Sequence, residues 1–426
     1  MQDSSSLAAA ALRASEAGHY SAAVDLYRRA LFCAAAAERP TLLFNLATML
    51  RITGDLTGAE HCLDEVLELR PDDAEAWLLR SGLRRWSLAD NHMSELRAAL
   101  ARTASGAVKA RVQLGFALAK ELEDCAVGAD DLTLLADSFA VLRDACALRR
   151  QHIQYDIADD IATLRSLRDR VAHVAPSMTA TATTSSAARP IFVVSLPRAG
   201  STLLERMLGC AEGVHLAGEL NQFPAALGQE LKRAFIAKNG SSRPPRKAEL
   251  VGLTDELDSA AMGAAYRANI PSLPAETRAF VDKLPLNLLN IEHILRALPD
   301  AHIVYVRRQR EDHCYAILKQ LFAQAYPWSY STDECCAYYD AVTDMMQPWL
   351  NAKLPRLHVV DYEELVQQPE TTSRALFEAL GLTWTPAVLE FHRRNSSAST
   401  TASAAQVRQP LTSRSIGLGQ HFFTTD

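Results

Sequence analysis

Pro190-Ile-Phe-Val-Val-Ser-Leu-Pro-Arg-Ala-Gly-Ser-Thr-Leu-Leu-Glu205 changes its pattern twice within a few residues. Ile191 to Val194 is a continuous apolar, largely β-branched run, as in a strand buried on both faces of a parallel sheet. Pro197 and Gly200 interrupt it, and beyond Thr202 the residues Leu203, Leu204, Met207 and Leu208 fall on one helical face. The stretch therefore reads as strand, tight loop and helix. Such a loop aims consecutive backbone N–H groups and the positive end of a helix at one spot, which suits a phosphate. The Walker spacing Gly-x-x-x-x-Gly-Lys-Ser/Thr is absent, because the cation, Arg198, precedes Gly200; this speaks against a P-loop kinase. Arg198 offers a planar fork of donors matched to phosphate or sulfuryl oxygens, and Ser201 and Thr202 add hydroxyls. On spacing alone, an ordinary turn in which Gly200 only supplies an unusual backbone angle would explain the same residues.

Around this unit lie 426 residues, enough for two or three domains with large cores. Hydrophobic residues make up 48% and charged residues 22%, and the mean hydropathy of −0.06 is that of an ordinary soluble protein. A net charge of −6 and a pI near 6.1 argue against a general nucleic-acid binder. Met1-Gln-Asp-Ser-Ser-Ser has no basic or apolar leader pattern, and no run of about 18 apolar residues occurs, so a cytoplasmic protein without a membrane span is expected. Cysteines 33, 62, 125, 146, 210, 314, 335 and 336 show no CxxC spacing; buried free thiols are expected, with no metal and no disulfide framework.

From about residue 5 to 170 the chain is rich in Ala and Leu and reads as helices. Gly18-His-Tyr-Ser-Ala-Ala-Val-Asp-Leu-Tyr-Arg-Arg-Ala30 parallels Gly54-Asp-Leu-Thr-Gly-Ala-Glu-His-Cys-Leu-Asp-Glu-Val66, with the glycines 54 − 18 = 36 apart, near the tetratricopeptide period. Pro71 then falls between paired helices. Two clear repeats and a degenerate third are few for a free solenoid, so stacking on neighbouring helices or on a second domain is expected. Such an array either presents a groove to a protein partner or serves as a packing or homodimerisation scaffold. Leu148-Arg-Arg-Gln-His-Ile153 and Leu164-Arg-Ser-Leu-Arg-Asp-Arg170 read as solvated helix faces. The predicted division is a tetratricopeptide-like helical domain over 1–174, a small polar linker over 175–189 and an α/β domain over 190–426.

Within the last of these, Val214-His-Leu-Ala-Gly-Glu219, Phe280-Val-Asp-Lys283, Ala301-His-Ile-Val-Tyr-Val-Arg-Arg308 and Leu357-His-Val-Val-Asp361 read as four more strands. In doubly wound sheets ligands bind beyond the carboxyl ends of the strands, where Glu219, Lys283 and Arg308 would join Arg198. Helices are expected over 287–298, 311–322, 333–350, 372–381 and 384–392. Lys238 to Lys247 reads as an exposed basic loop, and 395–412 as irregular chain.

Leu196-Pro-Arg-Ala-Gly-Ser-Thr-Leu-Leu-Glu205, Gly218-Glu219, Asp282-Lys-Leu-Pro-Leu-Asn287, Val306-Arg-Arg308, Val359-Val-Asp-Tyr-Glu-Glu-Leu365 and Thr401-Ala-Ser-Ala-Ala-Gln-Val-Arg-Gln-Pro410 resemble, in order, the motifs of sulfotransferases that use 3′-phosphoadenosine 5′-phosphosulfate (PAPS). The resemblance extends to the branch that joins tetratricopeptide repeats to a sulfotransferase domain and is related to tyrosylprotein sulfotransferases. It implies a P-loop-like α/β fold with a central parallel sheet, PAPS as co-substrate, adenosine 3′,5′-bisphosphate as product, and no metal. It further implies that Pro197, Arg198, Ala199, Gly200, Ser201 and Thr202 cradle the 5′-phosphosulfate and that Lys283 contacts the transferring sulfuryl group. Glu219 would be the base for the acceptor hydroxyl, Arg308 would hold the 3′-phosphate, Tyr362 would lie near the adenine, and Ser403 would touch the phosphosulfate. The acceptor could be a peptide tyrosine, a carbohydrate or a small metabolite. The chain departs from the pattern at Ala316, where the family has a serine; at Gln309-Arg310, in place of Asp-Pro; and at Gly417-Leu-Gly419, in place of Gly-Arg-Trp. These departures keep open a degenerate fold serving as a repeat-based binding module, with Arg310 or Lys319 as substitutes for the lost contact.

Overall fold

A computed structural model describes residues 3–178, 187–240, 247–322, 324–394 and 411–424. The chain opens with the helix pairs α1 (Ser4–Glu16) with α2 (Tyr20–Phe32) and α3 (Arg39–Thr53) with α4 (Leu56–Leu69), followed by α5 (Ala74–Ser81). The two aligned glycines occupy equivalent turns, Gly18 at φ +78° and Gly54 at φ +99°, a left-handed backbone that an L side chain resists. Asp55 and Asp73 cap the next helices by accepting from the Gly58 and Ala76 amides, and the Pro71 carbonyl takes the Trp77 indole N–H. Leu46, Leu63, Trp77 and Leu114 belong to one buried cluster beneath them. The helices α6 (Met93–Arg102), α7 (Val108–Ala129), α8 (Leu132–Arg150) and α9 (Ile157–Val174) complete this region.

The sheet consists of β1 (Arg189–Val194), β2 (Val214–Gly218), β3 (Ala279–Asp282), β4 (His302–Arg307) and β5 (Leu357–Asp361). Among the described residues all pairings within this sheet are parallel, in the order β2-β3-β1-β4-β5, with Ile191 opposite both Val281 and His302. The expected strands are all present, and β1 at the centre is fully buried from Ile191 onward. The connecting elements are α10 (Ser201–Leu208), α11 (Gln222–Asn239), α12 (Lys247–Val251), α13 (Ser259–Asn269), α14 (Ile291–Ala297), α15 (Arg310–Leu318), α16 (Thr332–Ala352), α17 (Tyr362–Gln367), α18 (Pro369–Ala379), α19 (Phe391–Arg394) and α20 (Leu418–Thr424). No described helix is long and apolar enough to cross a membrane.

Several expectations need correction. Arg150 and Arg170 do not face solvent, and Arg168 is only partly exposed, whereas Arg165 is exposed as expected. Arg150 donates to Glu334 at 2.6 and 2.7 Å, Arg168 to Asp344 at 2.6 Å, and Arg170 to both Asp255 and Glu292 at 2.7 Å. Charge lines this seam because α9 packs along α16 and presents its arginines to carboxylates of the α/β part. Apolar packing crosses the same seam, with Phe116, Phe139, Leu142 and Val171 in one buried cluster with Tyr315, Met345, Trp349 and Phe422. The helix expected over 311–322 stops at Leu318, where Lys319 turns to pair with Glu123 of α7 at 2.6 Å. The helix expected over 384–392 is instead two single turns, Pro386–Val388 and Phe391–Arg394. The segment read as linker begins with a short turn, Ala175–Ser177, whose Ala175 is buried in the shared cluster. Cys33 is exposed, Cys210 and Cys336 are partly buried, and the other thiols are buried. Of the basic loop, 241–246 lie outside the described residues, while the flanking Lys238 and Lys247 pair with Glu256 and Asp160.

Candidate active site

Every strand of the sheet ends at the same edge, and the residue types singled out by sequence follow those ends one by one. Arg198 comes after β1, Glu219 after β2, Lys283 after β3, Arg308 after β4 and Tyr362 after β5. The loop between β1 and α10 holds Arg198 at φ +69° and Gly200 at φ +101°. A left-handed backbone costs an L residue about 1–2 kcal/mol, so the loop must be held by its neighbours. The holding groups are visible. Pro197 C=O accepts from His313 Nε2 at 2.9 Å, and Arg198 C=O accepts from Arg308 Nη1 at 3.4 Å. Gly200 is required by contact as well as by angle, since a Cβ there would lie 2.4 Å from Cδ2 of Tyr362.

Arg198 and Arg308 place two guanidinium groups close together. Burial, reinforced by the Arg308 charge, pushes the Arg198 guanidinium down to about 10. Arg308 is almost wholly buried, lies 4.6 Å over the Tyr362 ring, and donates to the Ser415 carbonyl at 3.0 Å. Its bonding partners among the described residues are carbonyls, not carboxylates, and its buried Nε has none. The Ser195 hydroxyl behind the loop is likewise buried without a partner among the described residues. Two like charges that feel each other, one buried and one partly buried, favour a nearby anion.

A second pair sits at the neighbouring strand ends. Gly218 takes φ +75° at an irregularity in the β2–β3 register, and its carbonyl accepts from the Lys283 amide at 2.9 Å. That turn brings Glu219 against the Lys283 ammonium, which donates to its Oε1. Lys283 is 2% exposed at its side chain whereas Glu219 is 46% exposed, so the carboxylate alone of the two is open to an incoming molecule. Behind them Asp282 accepts from the Tyr266 hydroxyl at 2.9 Å and the Leu220 amide at 3.4 Å. Burial, helped by the nearby Glu205 charge, pushes the Asp282 carboxyl up to about 7. Glu205 itself is raised, first by burial.

The structure thus brings Pro197, Arg198, Ala199, Gly200, Ser201, Thr202, Glu219, Lys283, Arg308 and Tyr362 to one edge; Ser403 lies outside the described residues. Neither proposed substitute for the missing serine is available. Arg310 pairs with Asp340 at 2.7 and 2.8 Å and Lys319 with Glu123, while Ala316 is buried. Sequence reasoning passed over Asp312, His313 and Ser415. Asp312 accepts the Gly417 and Gly419 amides at 2.7 Å each, which seats the carboxy-terminal segment beside Arg308. The Ser415 hydroxyl lies 3.3 Å from that of Tyr362. For Asp312 and His313 the available signal was their closeness in sequence to Arg308, at the start of a helix that turns toward the loop.

The fold and this edge define a parallel α/β protein with a cluster of cationic and carboxylate side chains at its strand ends. Residues 190–386 match the family model described as "Sulfotransferase family". An uncharacterized protein of Aquifex aeolicus (strain VF5) is 26% identical over 380 residues, 88% of this chain and 48% of that protein. Protein-tyrosine sulfotransferase 2 of Gallus gallus is 26% identical over 200 residues, 47% of this chain and 53% of its own length. The chain spans about half the length of these curated relatives. Among solved structures, sulfotransferase STF1 from Mycobacterium tuberculosis H37Rv aligns at 16% identity and a TM-score of 0.33, over 74% of this chain and 97% of that one.

Proposed function

We propose that this protein transfers a sulfuryl group from PAPS to an acceptor hydroxyl, with residues 190–426 as the catalytic domain. The observation that carries the reading is the placement of Arg198, Glu219, Lys283, Arg308 and Tyr362, each after a different parallel strand, at one edge. The residues fit such a donor. Two guanidinium groups, Arg308 buried and Arg198 partly buried, suit two phosphate positions, and the glycine at Gly200 leaves room for the Tyr362 ring beside the loop. When bound, the donor supplies the sulfuryl group and a phosphate leaving group.

On this reading Arg198 and the amides of Ala199 to Thr202 hold the phosphosulfate oxygens, and Arg308 holds the 3′-phosphate with Tyr362 beside the nucleoside. Lys283 places its ammonium at the sulfuryl oxygens. Glu219, exposed and fixed by Lys283, takes the proton from the acceptor hydroxyl. No step of this scheme calls on a metal. Ser403 is a further proposed contact. The printed name of the chicken relative supplies peptide tyrosine as the first acceptor to try, and carbohydrate and small-metabolite hydroxyls fit the same chemistry. We further propose that α1 to α5 are tetratricopeptide-like repeats that engage a protein partner or a second copy of the chain.

The test is calorimetric titration with adenosine 3′,5′-bisphosphate. Micromolar binding is expected, weakened at least tenfold by Arg198→Ala and by Arg308→Ala, because a hydrogen bond to a charged group contributes about 1.5–3 kcal/mol. No binding by the wild-type protein, or binding indifferent to both substitutions, would overturn the reading.

A further inference from the structure

Two carbonyl groups flank the left-handed Arg198, and both are held by side chains of the β4–α15 unit. Arg308 reaches the Arg198 carbonyl at 3.4 Å, a long bond, and Arg308 is itself the proposed ligand of a phosphate. His313 reaches the Pro197 carbonyl at 2.9 Å and belongs to no proposed ligand set. Since a carbonyl only accepts, Nε2 must carry the imidazole proton, and Nδ1 is left as a bare lone pair. Nδ1 is indeed buried and without a partner among the described residues. The ring is 2% exposed and stands edge-on to Tyr339, whose hydroxyl donates to the Arg308 carbonyl at 2.7 Å. Burial and the neighbouring Arg308 and Arg198 charges keep the imidazole neutral.

Resting on the sulfuryl-donor reading, we propose that His313 is a positioning residue that presets the donor loop. Its Nε2–H fixes the peptide before Arg198 in the left-handed conformation, whether or not a ligand draws Arg308 away. The loop amides then converge before binding, and the ligand does not have to order them. A neutral donor suits the task because its proton does not depend on pH over the working range. A leucine in its place would fill the space and leave the Pro197 carbonyl with no donor. Glutamine retains an N–H that can reach it.

The test uses the full chain with His313→Leu and His313→Gln, read in two ways. Hydrogen exchange of the unliganded proteins is expected to show faster exchange at the amides of residues 199–202 in His313→Leu, with His313→Gln close to wild type. Titration with adenosine 3′,5′-bisphosphate is expected to show about tenfold weaker binding for His313→Leu and recovery to within about threefold for His313→Gln. Unchanged loop exchange in His313→Leu would overturn the proposal, as would equal impairment of both variants, which would mark a packing role only. Should the wild-type protein fail to bind the nucleotide while the exchange difference persists, His313 stands as the anchor of the loop and the sulfuryl-donor reading falls.

Discussion

Replacing Asp282 with asparagine should change how the stability of this protein responds to pH. The carboxyl is wholly buried, chiefly by burial pushed from 3.8 up to about 7, and accepts from Tyr266 and Leu220. A carboxyl with a raised folded value binds its proton more tightly in the folded than in the unfolded chain. It therefore contributes stability that is present at low pH and is lost as pH rises from about 4 through about 7. Between about pH 5 and pH 8 the wild-type protein should lose about 2–3 kcal/mol from this group alone, by the linkage relation with those two values. The substituted amide would resemble the protonated carboxyl in shape, with Oδ1 accepting the Leu220 amide and Nδ2 facing the Tyr266 oxygen, whose hydroxyl can rotate. The Asp282→Asn variant should then lie close to wild type near pH 5 and exceed it by about 2–3 kcal/mol near pH 8. Urea unfolding of both proteins across that interval gives the difference directly, with the other shifted carboxylates cancelling between the two curves. Parallel curves would refute the reasoning, because they would mean that Asp282 ionises in the fold as easily as in the open chain.

Gly419→Ala should release the carboxy-terminal segment, because a Cβ there would lie 2.2 Å from the Glu311 carbonyl atoms. About 1–3 kcal/mol of overpacking is expected, seen as rapid proteolytic trimming near residue 415 and weaker adenosine 3′,5′-bisphosphate binding. Glu123→Ala should cost about 2–4 kcal/mol in urea unfolding, since it strands Lys319 and the Tyr315 hydroxyl at the seam; Lys319→Met together with Glu123→Leu should recover much of that loss.

The sheet was legible because each strand is an apolar run that stops at a charged or glycine residue. Ile191 to Val194, Phe280-Val281 and Ile303 to Val306 announce both the strands and the places where Arg198, Lys283 and Arg308 must emerge. The paired glycines at 18 and 54 announced the helical turns in the same way. What stayed hidden has no local pattern. The bonds from Asp312 to Gly417 and Gly419 join residues 105 and 107 apart, and that from His313 to Pro197 joins residues 116 apart. Arg150 and Arg170 look in sequence like any exposed basic residue of a helix, and only the carboxylates brought by α14 and α16 make them a seam. Helix α15 ends early for a reason seated on another element, the Glu123 carboxylate of α7.

Arg143 of α8 donates to the Phe422 carbonyl and lies 4.5 Å over the Phe422 ring, which packs on Phe139 and Tyr315. The last turn of the chain is thus seated on the first half of it, a few residues after Ser415 has met Arg308. The α/β half for this reason leans on the helical half. Cut free at residue 190, it would lose the floor beneath Phe422 and the partners of Lys319 and Glu334, so that a fusion at the apparent boundary would disturb the strand-end cluster from behind. Separated from residues 1–189, the α/β part would need a substitute for the surfaces that α7 and α8 place under Phe422 and Lys319.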